Sequence, residues 1–256
     1  MYGCGIGPIS SPRNRKIAGL VLNRTADIIT LRDSVSLELL SDMGVNRPEI
    51  ILAADPTVNL DYADDLYVKK AFALEEIPPE VCKIGFCLRP WASFDHPEYV
   101  AMAAEYAFKK YGLTPVFLPI ETPKDNAISE QLSAMLDIPN YVCRHQHPVG
   151  DLIGMLGSMD MVLGMRLHSL IFATAGGAPV VGISYDVKVD SFIKDIGSAA
   201  CVPLASLSAE LLCNQIDAIA AQGKAAGTDT KKRLQSMERA NGEAAKRLLI
   251  RERKAI

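Results

Sequence analysis

Arg166 and His168 stand at the mouth of an apolar helix read over His168 to Ala175, and Lys188 follows the next apolar strand, Val180 to Ser184. Arginine and lysine suit phosphate and carboxylate. Histidine titrates near neutral pH and can carry a proton. A guanidinium is costly to bury without an anion. A strand end beside a helix N-terminus is where an open α/β sheet collects anionic ligands. The three side chains therefore predict a site for a substrate bearing phosphate or carboxylate, with His168 as proton carrier.

Other candidates sit at comparable strand ends. The turn Gly3 to Pro8, with Gly5 and Gly7, reads either as a tight strand–helix turn or as a backbone cradle for a ligand. Its third glycine falls too early for a dinucleotide fingerprint. Arg13, Arg15 and Lys16 follow it and could face an anion or solvent. Arg32 ends a short strand, and Asp33 or Ser34 can cap the helix that follows. Asp55, before Pro56, either terminates a strand or faces a ligand. Arg89 ends another strand and is expected to face a cleft between two lobes. Trp91, the single tryptophan, either packs in the core or offers a flat ring to a sugar. His96, His145 and His147 lie in loops near proline, without a carboxylate at ligand spacing, and read as loop histidines.

The elements that must position these groups alternate. Helices are expected over Arg15–Asn23 and Asp33–Met43, and strands over Ile28–Leu31 and Glu49–Ala53. Tyr62 to Pro79 has weaker periodicity and reads as a connector. A second series follows, with strands at Lys83–Leu88, Pro115–Ile120, Val142–Cys143, Met161–Leu163 and Val180–Ser184 and helices between them. Such alternation predicts parallel βαβ units, hence an α/β fold of two Rossmann-like lobes. The expected division is a first lobe over 1–75, a second over 76–205 and a helical segment over 206–256, whose charged end reads as a solvated helix face.

The bulk composition narrows the function. With 256 residues and a net charge of −3, the chain has no global basic field for nucleic acid. Aromatics at 6% argue against stacking platforms for single strands. The six cysteines form no Cys-x-x-Cys pair, so no metal site is expected and they read as thiols of a reducing compartment. No apolar run reaches the roughly 18–20 residues of a membrane span. A cytoplasmic protein is expected, with contact at the inner membrane face left open.

Taken in order, several of these pieces resemble the polysaccharide pyruvyl transferase family. They are the Gly3–Pro8 turn, Thr30-Leu31-Arg32-Asp33-Ser34, Ala54-Asp55-Pro56, Leu88-Arg89-Pro90-Trp91, Arg166-Leu167-His168, and Gly182-Ile183-Ser184-Tyr185-Asp186 with Lys188. The resemblance implies the two-lobed GT-B glycosyltransferase fold. It implies transfer of pyruvate from phosphoenolpyruvate to two hydroxyls of one sugar in a cell-wall or exported glycan, giving a cyclic ketal and phosphate. It ties activity to Arg166, His168 and Lys188. A first-lobe arginine is also implicated, with Arg15 the choice and Arg32 behind it; Gly5, Gly7, Asp55, Arg89 and Tyr185 complete the expected substrate-binding set. No cofactor or metal is implied. The implied acceptor is a glycan, lipid-linked in some members.

Two departures stand out. Many members carry Gln at the position of Cys4, and about a hundred further residues, a small lobe's worth, precede the turn. The first lobe is therefore expected to lack its opening βα units, as a fragment would. Two other readings compete: a GT-B glycosyltransferase or epimerase using a nucleotide sugar, and a catalytically silent fragment.

Overall fold

The structure is a computed structural model that describes residues 1–255, with side chains described for 1–223 and 225–250. The chain divides into two compact units, Met1–Asn59 with the residues from Lys232 onward, and Leu60–Lys231.

In the first unit, helix α1 (Pro12–Thr25) leads to strand β1 (Ile28–Leu31), helix α2 (Ser34–Asp42) and strand β2 (Glu49–Leu52). Ser11 caps α1 through Asn14 N–H, and Pro12 opens it, where its missing N–H costs nothing. β1 and β2 pair in parallel, Ile28 opposite Glu49 through Leu31 opposite Leu52. Cys4 adds a parallel bridge at Leu31 on the other side of β1. Ile29, Leu31 and Leu40 are fully buried in the core of this unit. Parallel pairing with buried apolar runs is what βαβ units produce.

The second unit opens with α3 (Asp65–Leu74), in the stretch read from sequence as a connector. Asp64 caps it through Leu66 and Tyr67 N–H, and Val68, Ala71 and Phe72 are buried. α3 packs on α6 (Val149–Gly157). The break between units thus falls at Asn59–Leu60, not near residue 75, because the apolar face of α3 is buried within the second unit.

The remaining elements of this unit are β3 (Lys83–Cys87), α4 (Pro97–Tyr111), β4 (Thr114–Phe117), α5 (Asn126–Ala134), β5 (Tyr141–Val142), β6 (Met161–Gly164), α7 (Leu167–Gly176), β7 (Val180–Ser184), α8 (Val187–Asp195), β8 (Cys201–Pro203) and α9 (Ala209–Gln222). The sheet is parallel throughout, in the order β5-β4-β3-β6-β7-β8. β8 was not expected from sequence, being only three residues long. α9 is not a separate tail. Its Leu212, Ile216 and Ile219 join Phe86, Phe117, Leu163 and Ile183 in the main core. α10 (Lys224–Ala255) ends the chain, and Asn241 on it donates to Ala54 O at 2.9 Å within the first unit.

One close approach shapes the unit. A Cβ on Gly157 would lie 2.5 Å from the Gly176 backbone, so α6 and α7 meet backbone to backbone. Only glycine permits that distance. Among the described residues, no helix is long and apolar enough to cross a membrane.

Candidate functional site

The sheet order of the second unit reverses around β3. β4 follows β3 on one side, and β6 begins the run on the other. Such a switch point opens a crevice at the carboxyl ends of the strands, where ligands of open α/β sheets bind. Arg89 leaves β3 there, Arg166 leaves β6 and Tyr185 leaves β7. The register sets Cys87 opposite Gly164, and Met165 N–H donates to Cys87 O at 3.0 Å. The two arginine-bearing loops are therefore neighbours by construction.

Arg166 is not a bare cation. Its Nε and Nη2 donate to Asp125 at 2.5 and 2.6 Å, and its Nη1 lies 2.8 Å from Glu121 Oε2. Asp125 is fully buried and also accepts the N–H groups of Ile120 and Glu121, at 3.2 and 2.9 Å. Burial disfavours the guanidinium charge, yet the Asp125 bond and the charges of Asp125 and Glu121 outweigh it and hold the pKa above its ordinary value. Arg166 was expected to be buried against a ligand's anion. The chain supplies that anion itself, which makes Arg166 first a fixed, oriented fork.

His168 is exposed in the first turn of α7 and lies 5.9 Å, ring to ring, from Phe172. The residue before α7 is Arg166, whose side chain makes no capping bond. The first N–H groups of α7 thus carry the partial positive charge of a helix N-terminus beside His168. Lys188 lies in the first turn of α8, which Asp186 caps by accepting Lys188 N–H at 3.0 Å.

Arg89 is held by aromatic faces. Its guanidinium carbon lies 4.9 Å from the Trp91 ring and 5.1 Å from the Tyr185 ring, and Nη1 donates to the Tyr185 hydroxyl at 2.9 Å. The two rings are 4.4 Å apart. Nε of Arg89 is buried without a hydrogen-bond partner. Trp91 is 42% exposed, so its ring is a surface platform and not core filling. Arg89, Arg166 and Tyr185 follow β3, β6 and β7, three adjacent strands of the sheet.

The first-unit candidates form their own cluster. Arg32 Nη1 pairs with Asp55 at 2.6 Å. Burial would raise the Asp55 pKa, but the bonds from Thr57 and Arg32 bring it below its ordinary value. A Cβ on Gly5 would sit 2.9 Å from Arg32 Nε, so the Arg32 side chain passes close over that glycine. The turn is pinned by Gly3 N–H to Thr30 Oγ1 at 2.6 Å and Ile6 N–H to Ser36 Oγ at 2.7 Å. Gly7 has φ +84, which favours glycine. Asp33, not Ser34, is the cap of α2, accepting Ser36 N–H at 2.7 Å. Arg15 is exposed and donates to Ile9 O at 2.7 Å. In this unit Arg32 pairs with Asp55 through Nη1 while its buried Nε makes no hydrogen bond, and the Arg15 guanidinium reaches back to Ile9, just after the turn.

Sequence reasoning missed Asp125 and Glu121; it read His145 and His147 as loop histidines, as they are, but did not foresee their partner. Glu75, buried at the end of α3, accepts the N–H groups of Arg144 and His145 at 2.7 and 2.9 Å, and contacts His147 Nε2 at 2.6 Å and His145 Nδ1 at 3.3 Å. The His147 side chain is only 4% exposed. The carboxylate absent from the local sequence arrives from about 70 residues away. The available signal for Asp125 was its place after β4, just before a helix. Among the described residues, no group of three His, Cys, Asp or Glu is arranged to hold a metal.

The model of the polysaccharide pyruvyl transferase family matches residues 1–187. Amylovoran biosynthesis protein AmsJ of Erwinia amylovora is 26% identical over 220 residues, covering 77% of this chain and 51% of that protein. The chain thus spans about half the length of this curated relative. Anabaena Alr3699/HepE, solved in complex with UDP and glucose, superposes with a TM-score of 0.61 at 13% identity, over 93% of this chain and 67% of that one. A glycosyltransferase from Rickettsia africae gives a TM-score of 0.61 at 17% identity, over 96% and 69%. At these identities the likeness shows the fold, which is of GT-B type.

Proposed function

This chain belongs to the polysaccharide pyruvyl transferase family, and on that premise we propose that it transfers pyruvate from phosphoenolpyruvate to two hydroxyls of one sugar in a cell-wall or exported glycan, as a cyclic ketal. The observation that carries the proposal is the pairing at the switch point: the Arg166 fork and the uncapped α7 N-terminus beside His168, with Arg89 in the loop after β3 and Lys188 in the first turn of α8, after β7. The biosynthetic relative AmsJ supports an exported polysaccharide as the acceptor class.

Phosphoenolpyruvate brings a phosphate and a carboxylate. Arg89 and Lys188 supply positive charge for them, and the outer edge of Arg166 adds directed donors. A proton goes to the methylene carbon, which becomes the methyl group. C2 then takes a first sugar oxygen and, as phosphate leaves, a second. Of the two hydroxyl protons, one balances the methyl group and the other departs with phosphate. His168 is the group suited to carry them, since imidazole exchanges protons near neutral pH. The exposed Trp91 ring is placed to support a sugar face.

The test is phosphate release from phosphoenolpyruvate in the presence of a glycan acceptor. His168→Ala is expected to lower turnover by about 100-fold or more, the size of a lost general acid–base contribution. Lys188→Ala is expected to weaken donor affinity. Full turnover in both variants rejects the assignment. UDP-glucose serves as the comparison ligand: binding of it, with none of phosphoenolpyruvate, would select the nucleotide-sugar reading.

A further inference from the structure

We propose that Glu121 is a latch on Arg166, holding the place that a donor's anionic group takes and releasing it when that group arrives. The proposal rests on the functional reading above and adds its regulation. Arginine carries five N–H donors in a planar fork. Asp125 takes the Nε and Nη2 side, and being fully buried and bonded to two backbone N–H groups it has no other position to adopt. Glu121 takes Nη1, on the outer edge. That edge is the one left to bind a carboxylate or phosphate bidentately.

Glu121 differs from Asp125 in every respect that governs release. Its side chain is 41% exposed. Its second oxygen already pairs with Lys124, three residues on, which is itself 68% exposed. The Lys124 bond, with the charge of Arg166, holds the Glu121 carboxyl below its ordinary pKa, so it is ionised at neutral pH and competes as an anion. Glu121 also borders a cavity of about 350 Å³, shared with Thr122, His145, Gln146 and His147. The carboxylate can therefore leave Arg166 for Lys124 and open space without disturbing the core. With both acids in place the Arg166 corner carries no surplus positive charge, which keeps an empty site from capturing stray anions.

Titration of phosphoenolpyruvate into wild type and Glu121→Gln, followed by calorimetry, reads the latch. The variant is expected to bind about 3- to 10-fold tighter, the gain from removing one partly exposed competing ion pair. Equal or weaker affinity in a folded variant overturns the latch. If neither protein binds phosphoenolpyruvate, the functional reading fails by itself, and phenylglyoxal labelling located by peptide mass decides the latch. Adduct formation at Arg166 is expected to be several-fold faster in Glu121→Gln than in wild type, with the rate at Arg89 as internal reference. Equal rates at Arg166 overturn the proposal whatever the donor is.

Discussion

Asp125 grips Arg166 along one edge of the guanidinium, at 2.5 and 2.6 Å, from a position that solvent does not reach. Asp125 stands just before α5, in the loop that follows β4, and Arg166 follows β6; β4 and β6 lie on opposite sides of β3. Their pairing ties the two flanks of the switch-point crevice together and fixes where the Arg166 fork points.

Removing one member of a buried pair leaves the other charge uncompensated. Asp125→Ala is expected to cost about 3–5 kcal/mol of stability. Urea denaturation of Asp125→Ala, Arg166→Met and the double variant measures it. The double variant should recover part of the loss; strictly additive losses would mean that the pair is not coupled.

Glu75 confers a pH dependence whose sign follows from its environment. Burial pushes its carboxyl up, but the Arg144 N–H, His147 and His145 bonds pull it below the ordinary value of 4.5. A depressed folded pKa means stability that is present above the unfolded pKa and lost as pH falls through the folded one. Wild type should therefore lose stability below about pH 4.5 more steeply than Glu75→Gln. Denaturation midpoints from pH 3 to 7 test this, and identical slopes in the two proteins would count against it.

Arg89 is held by a hydrogen bond and two ring faces, a combination an ammonium does not reproduce. Arg89→Lys is expected to weaken phosphoenolpyruvate binding by about 10-fold or more, for roughly 1.4 kcal/mol per decade. The melting temperature should move little, because the residue sits at the crevice edge. Titration calorimetry beside thermal melting separates the two effects; undiminished donor affinity would remove Arg89 from the site.

The contact between Gly157 and Gly176 leaves no room for a methyl group. Gly157→Ala should force α6 and α7 apart and cost about 1–3 kcal/mol, the range for overpacking a close-packed interior. A melting temperature within a degree of wild type would show that the helices can shift freely.

Much of this protein was legible from sequence because the signals are local. Apolar runs bounded by turns located most strands, and the elements around Arg166, His168 and Lys188 formed where expected. A helix N-terminus after an apolar strand is encoded in a few adjacent residues, so the placement of His168 needed no tertiary information. The family motifs are local in the same sense.

What the sequence could not contain was the choice of partners. Arg166 predicted an anion, but whether that anion was a ligand or Asp125, 41 residues away, depended on which strands lie beside β3. His145 and His147 looked unpartnered until α3 brought Glu75 to them. α3 itself was missed because exposed Leu66, Tyr67 and Leu74 blur its period, and its buried face, Val68, Ala71 and Phe72, matters only once α6 lies against it. Sequence alone determined the types of groups and the ends of the elements that carry them, since both follow from backbone preferences within a few residues. Tertiary structure alone decided which charges neutralise each other, because that depends on distances set by sheet order and packing.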